Sequence, residues 1–585
     1  MDSLPFSLQQ HLFILILIIF MKFNEYSYQR PDLAAYKLRF RQAVATFKAA
    51  ENFETQAELL EKINELRAEF DSMYTICSIR HSVNTNDEFY EAENTFFDEH
   101  YPEVSELVNE YYRILLASPF RKALEKQFGS QLFVLAELNL KTFEPQILSD
   151  LKEENKQGTA YSQIKARAAI EFRGNTYNLS SISPFELDKD RNTRKEAQEA
   201  KWSFFAQHAN EVEGIFDNLV KLRHSMSQKL GYKNYVKLGY ARMRRSDYGP
   251  EMVAIFRQQI LEHIVPLATA LYARQAKRIG LEKLEYYDLG LGFNSGNPTP
   301  KGPGPWMEEQ AGIMYKELSK ETDTFYQYMS QNGLMDLEAK DGKMTGGYCT
   351  FITDQQSPFI FSNFNGTSHD VTVLTHEAGH AFQCFSTSRN TKLYEYLWPT
   401  YEAAEIHSMS MEFFTWPWMN LFFKEDTEKF KFEHLSGALQ FLPYGVAVDE
   451  FQHVVYENPD MSPAERNQAW RKIELKYLPH RTYEGNDFLE NGGFWHRQSH
   501  IFNSPFYYID YVLAQICAFQ FWKRSLQDKE AAWKDYIKLC KAGGSRSFLQ
   551  LVELAGLRSP FEEGTVAWAI EPIKAYFDSV DDSKF

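Results

Sequence analysis

The run His376-Glu377-Ala378-Gly379-His380 places two imidazoles four residues apart, with a carboxylate beside the first. On a helix, residues four apart share a face, so both rings can reach one metal ion. Glu377 can then touch a water at that ion. This H-E-x-x-H spacing is that of zinc peptidases, in which the glutamate is the general base. Chance produces such a five-residue pattern about 0.03 times in a chain of this length and composition, which lifts it above two ordinary helix histidines.

A third ligand has to come from elsewhere. One zincin group continues H-x-x-G-x-x-H, but Gln383 and Ser386 stand at the corresponding Gly and His positions. A glutamate on a following helix is the other common solution. The stretch Tyr401–Glu412 supplies Glu402, Glu405 and Glu412 at helical spacing on one face. Spacing alone does not choose among these three.

The elements that must carry these groups are readable from pattern. Ser368 or Thr367 is expected to cap the motif helix, with Asp370 in its first turn and Val371, Val373 and Leu374 opening an apolar stripe. Gly379 costs about 1 kcal/mol of helix propensity relative to Ala, which predicts a close neighbouring chain. Residues 31–138 show apolar residues at three- and four-residue steps, as in Ala57–Leu66, and read as long antiparallel helices. Around 168–188, two short β-rich runs flank Gly174-Asn175, a hairpin signal. Helical patterning resumes over 192–281. Residues 288–305 hold five Gly and four Pro and read as a surface loop near an entrance. Gly346–Ile352 and Pro358–Phe361 read as short strands, and the chain is again mainly helical from Thr367 onward.

The bulk numbers agree. Of 585 residues, 44% are hydrophobic and 24% charged, which describes a globular protein of two or three packed subregions. Aromatics reach 15% and first imply a large aromatic core. The net charge of −16 argues against nucleic acid and against stable docking on anionic membrane. Five scattered cysteines without a C-x-x-C pair fit a reducing, cytoplasmic setting. Leu12–Phe20 is an apolar run too short for a bilayer span, which needs about 20 residues. Residues 1–20 read as an extension outside the fold, with Met21 as a start. A secreted or membrane-anchored form is the alternative if they are a targeting segment.

Four segments together resemble the thimet oligopeptidase family, in its oligoendopeptidase F branch. They are Asn363–Phe382 around the metal motif, Glu405–Glu412, Gly346–Cys349 and His500–Tyr511. The resemblance extends more loosely from about residue 22 to the C-terminus. It implies a mainly α, two-lobed zincin-type peptidase with a deep central channel and a small β region near the active site. The implied division is a helical region over 21–200 and a catalytic region over 201–585.

By position, the resemblance makes Glu405 the third ligand of one zinc ion per chain, beside His376 and His380, and Glu412 an outer partner. It makes Gly346 and Gly347 part of a substrate-side strand able to take peptide backbone as an added strand. His500, Tyr508 and Tyr511 would face the scissile carbonyl, with Tyr507 a rival to Tyr508. The implied activity is zinc-dependent endopeptidase cleavage of short unstructured oligopeptides. The alternatives are a dipeptidyl carboxypeptidase-like exopeptidase and a non-catalytic helical zinc-binding protein. Oligomeric state and residue preference around the cleaved bond are not legible.

Overall fold

The computed structural model describes residues 21–585 apart from Asp341; the expected extension over 1–20 lies outside the described residues. Among the described residues the chain is mainly helical, with two small sheets.

The first helices are α1 (Leu33–Ala49), α2 (Phe53–Val83), α3 (Glu88–Leu116) and α4 (Gln131–Lys141). Three of them start where the sequence offers a side-chain acceptor. Asp32, Asn52 and Asp87 each accept a backbone N–H from the first turn. Their apolar stripes meet in one core containing Phe40, Leu60, Phe70, Phe97, Leu115 and Leu132. A second, larger core takes nearly all the remaining apolar residues. It includes Ile147, Tyr161 and Ile170, so residues from about 147 pack into this larger body.

The hairpin forms with a correction. β1 (Ile170–Phe172) pairs with β2 (Asn175–Tyr177), and Phe172 opposes Asn175. The two-residue turn is therefore Arg173-Gly174, not Gly174-Asn175. Both turn residues have positive φ, 49° and 82°, as a turn matched to strand twist requires. The Gly/Pro-rich stretch carries no regular element until the helix Gly304–Leu318 begins. It is anchored, not merely superficial: Asp288 is buried and paired with Arg191 and Arg194, and Phe293 is buried in the large core.

A short helix α5 (Tyr235–Arg242) precedes the second sheet. That sheet joins β3 (Met335–Glu338), β4 (Tyr348–Ile352) and β5 (Ser357–Phe364) in the order β3-β5-β4. β4 runs antiparallel to β5 and has no partner on its other side among the described residues. The helices that build the site follow: α6 (Ser368–Ser388), α7 (Tyr401–Phe414), α8 (Thr427–Glu457) and α9 (Tyr508–Gln527).

Between α6 and α7 the chain reaches back to the N-terminal helices. Leu393 and Tyr396 join the smaller core, and a buried ion pair links Arg67 of α2 to Glu395. A cavity of about 390 Å³ lies between the two bodies, lined by Asp71, Tyr101, Arg244, Thr350 and Tyr401 among others. No helix among the described residues is long and apolar enough to cross a membrane.

Candidate metal centre

α6 and α7 approach to backbone contact at Gly379. A Cβ on that residue would lie 2.6 Å from Ser408 Cα and 2.7 Å from the His407 carbonyl oxygen. The glycine between the two histidines is the close approach that its low helix propensity predicts. The expected side-chain cap is not made. Thr367 stands at the N-cap position, but its hydroxyl donates to Asn365 Oδ1 (2.7 Å), and the Ser368 hydroxyl donates to Glu433. Asp370, in the first turn, instead ties down the loop before the helix, accepting the N–H groups of Asn365 and Gly366 at 3.1 and 2.7 Å.

Because α6 and α7 touch, one ligand-type atom from each of His376, His380 and Glu405 falls within 4.8 Å of the others. Glu405 Oε2 lies 3.4 Å from His376 Nε2 and 3.5 Å from His380 Nε2. Tetrahedral coordination with metal–ligand bonds of about 2.0–2.2 Å separates ligand atoms by roughly 3.3–3.5 Å. The three side chains therefore fit one metal ion. Glu402, the nearest rival on α7, is turned away: it is fully buried and accepts the Tyr248 hydroxyl at 2.5 Å.

The partners behind these ligands determine their protonation. His376 Nδ1 lies 2.7 Å from Glu412 Oε1, so its Nδ1–H donates there and Nε2 points to the metal side. The other Glu412 oxygen lies 2.7 Å from His434 Nε2. Trp416 Nε1–H donates to His434 Nδ1 at 3.2 Å, so His434 must carry its proton on Nε2 and donate to Glu412. Burial alone would raise the Glu412 carboxyl, but the two imidazoles hold it down at about 2. Glu405 is likewise raised by burial and pulled the other way, well below the usual carboxylate range, by His380 and His376. Its Oε1 accepts the Tyr507 hydroxyl at 2.7 Å and its Oε2 accepts the Ser408 hydroxyl at 3.0 Å.

Glu377 is buried beside the histidines. Burial raises its carboxyl pKa, against the opposing pull of His376 and His380. Gly346 and Gly347 lie just before β4, not within it. The Gly347 Cβ position is 3.8 Å from Glu377 Oε1, so the chain entering β4 passes close to that carboxylate.

On the other side, His376, His500, Tyr508 and Tyr511 line one cavity of about 570 Å³, with Met409 and Phe441 among its apolar walls. Burial pushes the His500 imidazole down to about 4, so the ring is neutral. Its Nδ1 accepts from Gln498 Nε2 at 2.8 Å, which leaves Nε2–H as a donor. Tyr508 is the phenol on the cavity wall, whereas Tyr507 turns to Glu405.

Sequence reasoning missed His434, Trp416 and Ser408. His434 and Trp416 lie outside any motif. Ser408 lies three residues after Glu405 on the same helix, a spacing that could have flagged it.

Known proteins are similar to this chain. Residues 23–143 match the peptidase M3 N-terminal domain, and residues 185–294 and 308–568 match peptidase family M3. An oligoendopeptidase F homolog of Borreliella burgdorferi is 21% identical over 392 residues, covering 65% of this chain and 64% of that protein. Group B oligopeptidase PepB of Streptococcus agalactiae is 22% identical over 386 residues, covering 63% and 60%. The chain thus spans a little under two thirds of the length of these curated relatives.

Among solved structures, PZ peptidase A with an inhibitor is 56% identical with a TM-score of 0.93, covering 96% of this chain and 100% of that one. Oligoendopeptidase F from Enterococcus faecium shares the fold at 14% identity and a TM-score of 0.63, covering 94% and 98%. The expected resemblance is borne out: the chain belongs to peptidase family M3, in its oligoendopeptidase F branch.

Proposed function

We propose that the chain is a zinc-dependent endopeptidase that cleaves internal bonds of short, unstructured oligopeptides. The observation that carries this reading is the convergence of His376, His380 and Glu405 at coordination spacing, with Glu377 buried beside them.

Zinc held by these three residues would supply Lewis-acid polarisation of the scissile carbonyl and acidify an attacking water. Glu377 takes the proton of that water and passes it to the leaving amine. Its burial suits it to hold the proton between the two transfers. The Nε2–H of His500 and the hydroxyls of Tyr508 and Tyr511 are donors for the charge that develops on the carbonyl oxygen. Substrate backbone adds along the open edge of β4, next to Gly346 and Gly347. A folded domain would have to unfold to reach that edge, at a typical cost of about 5–15 kcal/mol. The cysteine spacing supports a cytoplasmic setting for the same reading.

The test is Glu377→Gln, which removes the base and keeps both imidazoles. The variant should retain one zinc per chain, and its turnover of an unstructured peptide should fall at least about 100-fold. Normal hydrolysis by the zinc-loaded variant would overturn the assignment.

A further inference from the structure

The segment that carries the tyrosines turns on one residue. Phe506 has a φ of +68°, in the left-handed region, where a bulky side chain is an outlier. Such conformations persist when the surroundings over-determine them, and they cluster at functional sites. Phe506 is held at three points. Its N–H donates to Gln452 Oε1 on α8 at 2.8 Å. Its carbonyl oxygen accepts from Arg245 Nη2 at 2.6 Å, and the same nitrogen donates to Asp510 Oδ1 at 2.6 Å in the first turn of α9. Its ring is fully buried among Tyr235, Tyr240, His453 and Tyr456.

That socket exists because residue 239 on α5 has no side chain. A Cβ there would lie 2.6 Å from Phe506 Cδ2. Arg245 and Asp510 are both wholly buried, so the clamp is shielded from water. The residue that follows the clamp is Tyr507, whose hydroxyl donates to Glu405 Oε1. Rotation about the Phe506 backbone would carry the Tyr507 ring off the carboxylate.

We propose that Phe506 is a positioning residue: its clamped left-handed backbone holds the Tyr507 hydroxyl on Glu405 and thereby orients that carboxylate for the metal. This rests on Glu405 being a zinc ligand in the proposed function. Gln452, Arg245 and Gly239 then act on the metal through Tyr507, although none of them touches it. Partners of this outer kind typically change metal affinity 10–100-fold when removed.

The test measures zinc affinity by chelator competition on the full-length chain, with peptide turnover followed in parallel. Tyr507→Phe, Gln452→Leu and Gly239→Ala should each weaken zinc binding about tenfold or more. Gln452→Glu keeps an acceptor for the Phe506 N–H but loses the Nε2 donor to the Val448 carbonyl oxygen (3.1 Å), so it should weaken zinc binding less than Gln452→Leu does. The double variant Gln452→Leu/Tyr507→Phe should bind zinc no more weakly than the weaker of its two parents, because both changes act through one hydroxyl.

Wild-type affinity in Tyr507→Phe overturns the proposal, as does wild-type affinity in a folded Gln452→Leu or Gly239→Ala. Additive losses in the double variant also overturn it. A wild-type chain that binds zinc but cleaves no peptide would sink the peptidase reading alone, since the affinity comparison does not depend on turnover.

Discussion

His376, His380 and Glu405 ride on α6 and α7, two regular helices in backbone contact, whereas His500, Tyr507, Tyr508 and Tyr511 straddle a break at the start of α9 that is held from outside. In the first region the helical repeat places side chains on the right face, and one glycine lets the faces meet. In the second, the repeat is interrupted over residues 504–507, and a strained residue, Phe506, re-aims the chain. The difference matches what each side is asked to do. A metal site needs three atoms at fixed separations, which rigid helices provide. In the proposed reaction the other side supplies donors aimed at a charge that exists only during reaction. Those donors project from a helix start that neighbouring elements can set independently of the metal ligands.

Substitutions can break or sharpen this contrast. Tyr511→Phe removes a hydroxyl from the first turn of α9, just after the break, and keeps the ring. If that hydroxyl bonds only the developing oxyanion, kcat and kcat/KM should fall together by about 100-fold, with zinc content unchanged. A change in KM alone would place Tyr511 in ground-state binding and erase the proposed division of labour.

Gly379→Ala strikes the helix pair instead. The added methyl cannot fit 2.6 Å from Ser408 Cα, so α6 and α7 must part. Overpacking of this kind costs about 1–3 kcal/mol. The thermal midpoint of the zinc-free protein should drop, and zinc should bind more weakly as Glu405 moves from the histidines. An unchanged midpoint together with unchanged zinc affinity would show that helix contact is not what sets the ligand spacing.

The smallest effect concerns Glu433, which joins α8 to the start of α6 by accepting the Ser368 hydroxyl at 3.0 Å. Burial pushes its carboxyl up to about 7 from the ordinary 4.5, against the Ser368 bond and the charges of Lys429 and Arg278. The folded protein thus keeps a proton between those two values that the unfolded chain has lost. This contribution to stability is full below about pH 4.5 and disappears as pH rises through about 7. Glu433→Gln removes that dependence. The thermal midpoint of the variant minus that of wild type should be more positive at pH 8 than at pH 5, and an equal difference at both would refute the assignment.

Much of the helix pair was legible before any fold was known. H-E-x-x-H is a local pattern, and the four-residue step fixes which way both rings point. The face bearing Glu402, Glu405 and Glu412 was legible for the same reason, and Gly379 announced a close neighbour. The hairpin was legible to within one residue, because both turn positions take positive φ and only one of them is glycine. The helix cap was misread: Ser368 and Thr367 are both suitable caps, but Glu433 and Asn365 take their hydroxyls.

The sequence by itself determined the candidate ligands, their helices and the family resemblance, since each depends on residues within a few turns of one another. Only the tertiary structure decided that Glu402 turns to Tyr248 while Glu405 turns to the histidines. It alone brought His434 to Glu412, divided Tyr507 from Tyr508 and held Phe506 left-handed against Gln452 and Arg245. The physical reason is one of range. Helical periodicity orients a side chain relative to its own axis, but which oxygen, imidazole or guanidinium it meets depends on where distant segments pack, and no local spacing encodes that contact.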